Sequence, residues 1–318
     1  MGAWRYVPNG SAAYEQRVVA SMAPELVLVL ALLAGGYFAR RSGRFPEGAS
    51  EPLNRFVIDL CVPAVVLRMV PTLVFEWSLI ALIATPWLLT LLAWGAARLA
   101  SRWLRFDRGT AAALFLCVAI GNTSFLGFPL CSGLFGESSL PFAAVYDQLG
   151  SFLLLSTVAP LALGKVSGDA RVTPSELARR VLLFPPFLAL LLALLPLPHP
   201  AALEPVLTAA AAPLVPLAMF AVGLKLRFSP PRPKRVFGLG LALKLFIFPG
   251  VAWGLAHALG ARGLVLQVAV LETAMPTMIT AGALMMAHGV ASELAAAFVS
   301  WGLIFSLLSV PAWSLLVR

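Results

Sequence analysis

Ala119-Ile120-Gly121-Asn122-Thr123-Ser124-Phe125-Leu126-Gly127-Phe128-Pro129 interrupts one long apolar stretch, and Leu271-Glu272-Thr273-Ala274-Met275-Pro276-Thr277-Met278 interrupts another. Proline removes one helical donor and clashes with the preceding turn, so each helix is expected to unwind just before its proline. Backbone groups freed inside a bilayer are tolerated only where protein or a water-filled cavity satisfies them. Asn122 and Pro276 each lie about 12–14 residues into their stretch, near half depth for a span of roughly 20 residues. Both breaks therefore belong at the membrane midplane.

The rest of the chain fits that setting. Of 318 residues, 60% are apolar and only 12% are charged, about half the charged share of a soluble protein. A soluble enzyme, a nucleic-acid-binding domain and a disordered scaffold are excluded on that ground. The expected fold is an all-α polytopic membrane protein with spans at 24–40, 51–70, 77–100, 110–135, 139–163, 181–198, 203–225, 235–258, 262–288 and 293–317. Spans two and seven are the weakest, since Pro63, Pro213 and Pro216 fall inside them and span two also carries Asn54 and Asp59.

Basic residues test this count through their distribution between loops. Arg40, Arg41 and Arg44 fall in loop one–two, and Arg98, Arg102, Arg105 and Arg108 in loop three–four. Lys165, Arg171, Arg179 and Arg180 fall in loop five–six, and Lys225, Arg227, Arg232, Lys234 and Arg235 in loop seven–eight. That side collects 16, against five on the other: Arg5, Arg17, Arg68, Arg262 and Arg318. Odd-to-even loops are thus expected in the cytoplasm and both termini outside, in a bacterial inner membrane. The net charge of +9 sets topology and implies no nucleic-acid partner. Arg55 and Lys244 are read as lying near span ends and snorkelling. The polar segment 1–23 resembles the start of a signal peptide, but Arg40-Arg41 directly after span one favour a retained helix. Cys61, Cys117 and Cys131 all sit in apolar stretches and are expected to be buried and reduced.

Halving the chain gives a first repeat at 24–163 and a second at 181–318, joined by a short polar linker at 164–180. Prolines correspond between the halves: Pro63 with Pro213 or Pro216, and Pro129 with Pro276. Five spans per half invert the second copy, and interrupted helices at matching positions point to a transporter's binding site. In opposite directions, broken helices four and nine can cross. Half-helix N-termini near Pro129 and Pro276, each carrying about half a positive charge, suit an anion such as a carboxylate. The negative ends near Gly121 and Thr273 meet there too, beside Glu272. A charge at that depth costs roughly 3 kcal/mol or more, so Glu272 is expected to have a cation beside it or to be protonated for part of the cycle. Asp147, Gln148, Asn122, Thr123, Ser124, Thr273 and Thr277 supply oxygen ligands for sodium or a proton relay. Asp59 is expected to pack against backbone near Pro63, and His199, His257 and His288 to lie at interfaces. The reading is a secondary carrier of a small organic anion coupled to sodium or protons, with Glu272 as the candidate sodium site and no other cofactor. An uncoupled carrier or channel is the alternative. An intramembrane enzyme is least favoured, because no H-E-x-x-H or G-x-S-x-G occurs.

Gly121-Asn122-Thr123-Ser124-Phe125-Leu126-Gly127-Phe128-Pro129-Leu130 resembles the fourth-span motif of the auxin efflux carrier family of bacterial and plant transporters. Leu53-Asn54-Arg55-Phe56-Val57 with Val62-Pro63 is similar to its second span, and Ala274-Met275-Pro276 to its ninth. The resemblance implies a ten-helix fold with a scaffold of spans one, two, six and seven. Spans three to five and eight to ten would form a transport domain that moves in an elevator-like way. It also implies organic-anion substrates near Asn122, Gln148, Pro129 and Pro276; Thr123 and Thr277 complete the substrate set, and Asp147, Asn122, Ser124, Thr273 and Glu272 the ion set. A homodimer through the scaffold is the assembly expected. The linker between the halves is far shorter than in the plant carriers. The plant carriers also lack an acid matching Glu272; Glu272-Thr273-Ala274-Met275 instead resembles the sodium-binding segment of the related bile acid sodium symporters.

Overall fold

A computed structural model describes residues 12–74, 76–168, 173–195, 200 and 202–318, with 12–26 as backbone only. The described residues are helical apart from turns, short loops and one isolated antiparallel bridge. Five helices are long and apolar enough to cross a bilayer unaided: Trp77–Leu104, Glu137–Ser167, Leu203–Lys225, Lys234–Ala258 and Ser292–Leu316. Arg108–Ala119, Thr123–Phe135 and Gly263–Ala274 are apolar but shorter. The first helix runs from Ala12 to Arg41, so it begins twelve residues before the span expected at 24. The sixth expected span is described only as Pro185–Ala193, about 14 Å long at 1.5 Å per residue. His199 lies outside the described residues.

Prolines are absorbed in one recurring way. Helix 57–61, 123–127, 154–158 and 243–247 widens into a π-turn, and Pro63, Pro129, Pro160 and Pro249 follow two residues after each. Widening makes room for the pyrrolidine ring where an α-turn would clash. The carbonyl of Leu245, whose α-helical donor would have been Pro249, accepts instead from Trp313 Nε1 at 2.9 Å. A fifth π-turn, 147–151, has no proline after it and carries Asp147 and Gln148. There Gly150 packs on the ring of Pro86, and the Leu149 carbonyl accepts from Trp87 Nε1 at 2.9 Å.

This habit corrects the expected break in the fourth span. Pro129 does not unwind the helix ahead of it; it sits inside Thr123–Phe135 behind a π-turn. The chain leaves the helix earlier, with Ile120 extended and Asn122 outside helical space. The ninth span breaks at its proline, between Ala274 and Ile279.

Buried apolar residues form two clusters. One takes Phe125–Leu134 and Val265–Met275, the other takes Leu114–Ile120 and the face from Met278 to Met285. Each interrupted pair thus gives one half to each cluster, and the breaks lie on the boundary between them. Outside this layer, helices Ala12–Arg41 and Leu214–Lys225 touch backbone to backbone. A Cβ on Gly36 would meet the Phe220 carbonyl, and one on Gly223 the Leu33 carbonyl. Only glycine lets two helices approach so closely.

Ion pairs report which helix ends lie together. Arg68 pairs with Glu204 at 2.6 Å and Glu137 at 3.8 Å, and Arg318 donates to the Leu134 carbonyl at 2.6 Å. Lys225 pairs with Glu51 at 3.0 Å and Arg227 with Glu47 at 3.2 Å. Loops two–three, four–five and six–seven therefore group with the C-terminus, and loop one–two groups with seven–eight, in line with the parity of the basic loops. Such pairs add little energy; here they serve as markers of position.

Candidate functional site

The two interruptions lie side by side and satisfy each other. Gly121 and Thr277 form the antiparallel bridge. Asn122 N–H donates to the Pro276 carbonyl at 2.8 Å, and Met278 N–H donates to the Ile120 carbonyl at 3.0 Å. Groups that would each cost several kcal/mol unpaired in hydrocarbon are thereby paired. Thr277 Oγ1 donates to the Cys117 carbonyl at 2.8 Å, closing a freed acceptor at the end of Arg108–Ala119. Neither following helix has a side-chain cap at its start, at Asn122 or at Met278. Two helix N-termini consequently open at the bridge, each with a partial positive charge.

Asp147 anchors one of them. Its carboxylate accepts from Thr123 Oγ1, from Ser124 Oγ at 2.7 Å and from Gln148 Nε2 at 2.6 Å. Three partners satisfy the acceptor oxygens of this buried carboxyl group. They tie the π-turn of Glu137–Ser167 to the first turn of Thr123–Phe135. Thr273 Oγ1 donates to the Ala269 carbonyl at 2.8 Å and lies 2.9 Å from Tyr146 Oη, which fixes the end of Gly263–Ala274 to the same helix.

Glu272 does not stay at the negative end of its own helix. Its side chain reaches the partner helix, where Cys131 Sγ approaches Oε1 at 3.4 Å. A Cβ on Gly127 would collide with the carboxylate, so the glycine of Leu126-Gly127-Phe128 makes room for an acid 145 positions away. All three cysteines are buried and free.

Asn122, Gln148 and Glu272 are fully buried, yet several of their polar atoms have no hydrogen-bond partner. These are both amide atoms of Asn122, Gln148 Oε1 and Glu272 Oε2. Unpaired buried polar atoms cost about 1–3 kcal/mol each, and here they gather around the bridge and the Asp147 cluster. Pro276 is in the bridge. Pro129 is buried two turns further along its helix, a position that shapes the helix.

Lys244 was misread from the sequence. It does not snorkel: it is 4% exposed, in the π-turn at the middle of Lys234–Ala258, within electrostatic reach of Glu272 and Cys117. Its own span held the signal, since residue 244 lies ten positions into 235–258, at half depth. Tyr146 and Gly127 were also missed, and their roles depend on contacts no local pattern encodes. Asp59 is exposed on its helix.

A cavity of about 740 Å³ opens on the side of loops one–two and seven–eight. Arg40, Arg41, Lys225 and Arg227 outnumber Glu47 and Glu51 in its wall, and Ile279, first residue of the second uncapped helix, lies in its lining. A mouth with excess positive charge concentrates anions.

Similar known proteins are described as membrane transporters. The family described as "Membrane transport protein" matches residues 20–314. An uncharacterized transporter of Methanothermobacter thermautotrophicus is 31% identical over 304 residues, covering 92% of this chain and 96% of its own length. Another, from Methanocaldococcus jannaschii, is 26% identical over 304 residues, covering 91% and 96%. Both relatives are archaeal. The chain belongs to the membrane transport protein family, the auxin efflux carriers that its two proline-bearing motifs resemble.

Proposed function

We propose that the protein is a secondary active transporter that carries a small organic anion, a carboxylate, bound where the two interrupted helices meet. One observation carries the reading: two uncapped helix starts and the unpartnered Asn122 amide converge on the Gly121–Thr277 bridge. Amide ends and an amide side chain are the groups that recognise a carboxylate without needing a fixed charge. Asn122, Thr123, Gln148, Pro276 and Thr277 form the substrate side, with Pro129 setting the helix behind them.

The architecture proposed is ten spans in two inverted repeats, 24–163 and 181–318, joined by 164–180, with both termini outside. The glycine contact between Ala12–Arg41 and Leu214–Lys225 supports a rigid scaffold of spans one, two, six and seven, through which a homodimer would form. Spans three to five and eight to ten would move past it as an elevator. Coupling follows from charge. Asp147 and Glu272 are two buried acids, and Lys244 is the one buried base among the described residues, within electrostatic reach of Glu272. The site is one positive charge short of neutrality when all three are ionised, and a proton or sodium supplies it, with Ser124 and Thr273 beside the acids. A charge that deep is too costly to leave uncompensated.

The test is uptake of mono- and dicarboxylates by reconstituted vesicles under imposed proton or sodium gradients. A gradient-dependent, saturable flux is expected. Glu272→Gln should abolish the gradient dependence and retain binding; a variant with undiminished ion dependence refutes the coupling role.

A further inference from the structure

Lys244 sits at a specific pole of the crossing. A Cβ built on Gly121 would lie 3.2 Å from Lys244 Nζ, 3.3 Å from the Glu272 carbonyl and 3.5 Å from the Met275 carbonyl. The ammonium and the two carbonyls therefore surround one point on the backbone of the other interrupted helix. Those carbonyls belong to the C-terminal end of Gly263–Ala274, where the helix opens and its partial negative charge is concentrated. The acid side chain of Glu272 departs from the same turn and reaches the partner helix at Gly127 and Cys131. Backbone carbonyls at an opened helix end, with a carboxylate nearby, are the donor set that holds an inorganic cation in a transporter.

Here a side chain brings the cation. Lys234–Ala258 delivers Lys244 from a π-turn at half depth, and that turn is held in place by Trp313 on the Leu245 carbonyl. The side chain is almost wholly buried and cannot reach water without unpacking the helix. The glycine at 121 is needed for the approach, because any side chain there would stand where the ammonium, the two carbonyls and the bridge meet.

We infer that the Lys244 ammonium is a tethered cation that occupies the carbonyl pole of the crossing, so that the wild-type protein binds no sodium there and removing the lysine creates a sodium-sensitive site. This deepens the transport reading by naming which cation the same site already holds. It takes sodium away from this pole, although the segment around Glu272 resembles a sodium-binding one, and leaves the missing charge to a proton or an ion held beside Asp147. Its test is a binding measurement that needs no transport, so the inference and the transport reading fail separately.

The experiment is thermal unfolding of the purified full chain in equal concentrations of sodium, potassium or choline chloride, for wild type, Lys244→Met and Lys244→Arg. Wild type and Lys244→Arg should each keep an unfolding temperature constant to within about 1 °C across the three salts, since no salt fills the pole. Lys244→Met should unfold earlier in choline and recover by on the order of 2–4 °C in sodium, as an ion that binds only the folded form stabilises it. A sodium-specific rise in wild type overturns the inference. So does a monodisperse Lys244→Met protein that is indifferent to sodium. Should Lys244→Met not fold, the comparison of wild type with Lys244→Arg decides: a sodium-specific rise in either overturns it, and the same unfolding temperature in every salt supports it.

Discussion

Gly127→Ala puts a methyl group onto the carboxylate of Glu272. The new Cβ would lie 2.6 Å from Oε1 and 2.7 Å from Cδ, with Oε2 in collision. Ordinary contacts to carbon are about 3.5–4.0 Å, so the carboxylate must retreat by roughly 1 Å. It is the tip of a flexible side chain, and the backbone need not move. Glu272 is 0% exposed, however, and retreat takes Oε1 away from Cys131, already at 3.4 Å. Overpacking a core costs about 1–3 kcal/mol; a displaced side-chain tip puts this case in the lower half, about 1–2 kcal/mol. For a chain of this size that is a fall in Tm of roughly 1.5–3 °C. The assay is a double-mutant cycle by thermal unfolding with Glu272→Ala, which removes the group the methyl strikes. The methyl should then be tolerated, giving a coupling energy of about 1–2 kcal/mol. A Gly127→Ala protein as stable as wild type, or the same penalty in the Glu272→Ala background, would refute the contact.

Asn122→Ala removes two buried atoms that have no partner, so unfolding should shift by no more than about 1 kcal/mol in either direction, while carboxylate-dependent stabilisation disappears; a large stability loss would mark the residue as structural. Gly223→Ala drives a Cβ against the Leu33 carbonyl and to 3.0 Å from Gly36 Cα, a backbone clash no rotamer relieves; a loss of about 2–3 kcal/mol is expected by thermal unfolding. Asp107 caps helix Arg108–Ala119 in a loop, where the Thr110 hydroxyl and N–H hold its carboxyl below the usual carboxylate range. That contribution is present above the unfolded value of about 3.9 and lost as pH falls through the lower folded value. Asp107→Ala should therefore cost about 1 kcal/mol at neutral pH, and the unfolding curves of variant and wild type should converge in acid.

How far the sequence carried the account depended on whether the cause of each feature was local. The apolar stretches, the polar motif at Gly121–Ser124 and the proline at 276 each act through their own segment, and the helices and both interruptions follow from them. The position of the first break did not follow, because Pro129 acts through a π-turn that lets it stay inside the helix. The same device recurs before Pro63, Pro160 and Pro249, so the prolines alone could not mark an unwound segment. Asp147 and Gln148 were identifiable as polar groups at depth, but the close contact of Gly150 with Pro86 in their π-turn involves a residue of another helix. Lys244 was misplaced for a different reason: long basic side chains near span ends often snorkel, and that expectation overrode its depth. Gly127 had no local signature, since its partner Glu272 comes from the other half of the chain.

The central claim is that a carboxylate binds at the bridge between the interrupted helices, and parallel thermal-shift screens of mono- and dicarboxylates on wild type and Asn122→Ala test it most directly. At least one carboxylate should raise the Tm of the wild-type protein by several degrees, as binding only to the folded form requires, and leave Asn122→Ala unmoved. Equal stabilisation of both proteins, or none of the wild type by any carboxylate, would contradict it.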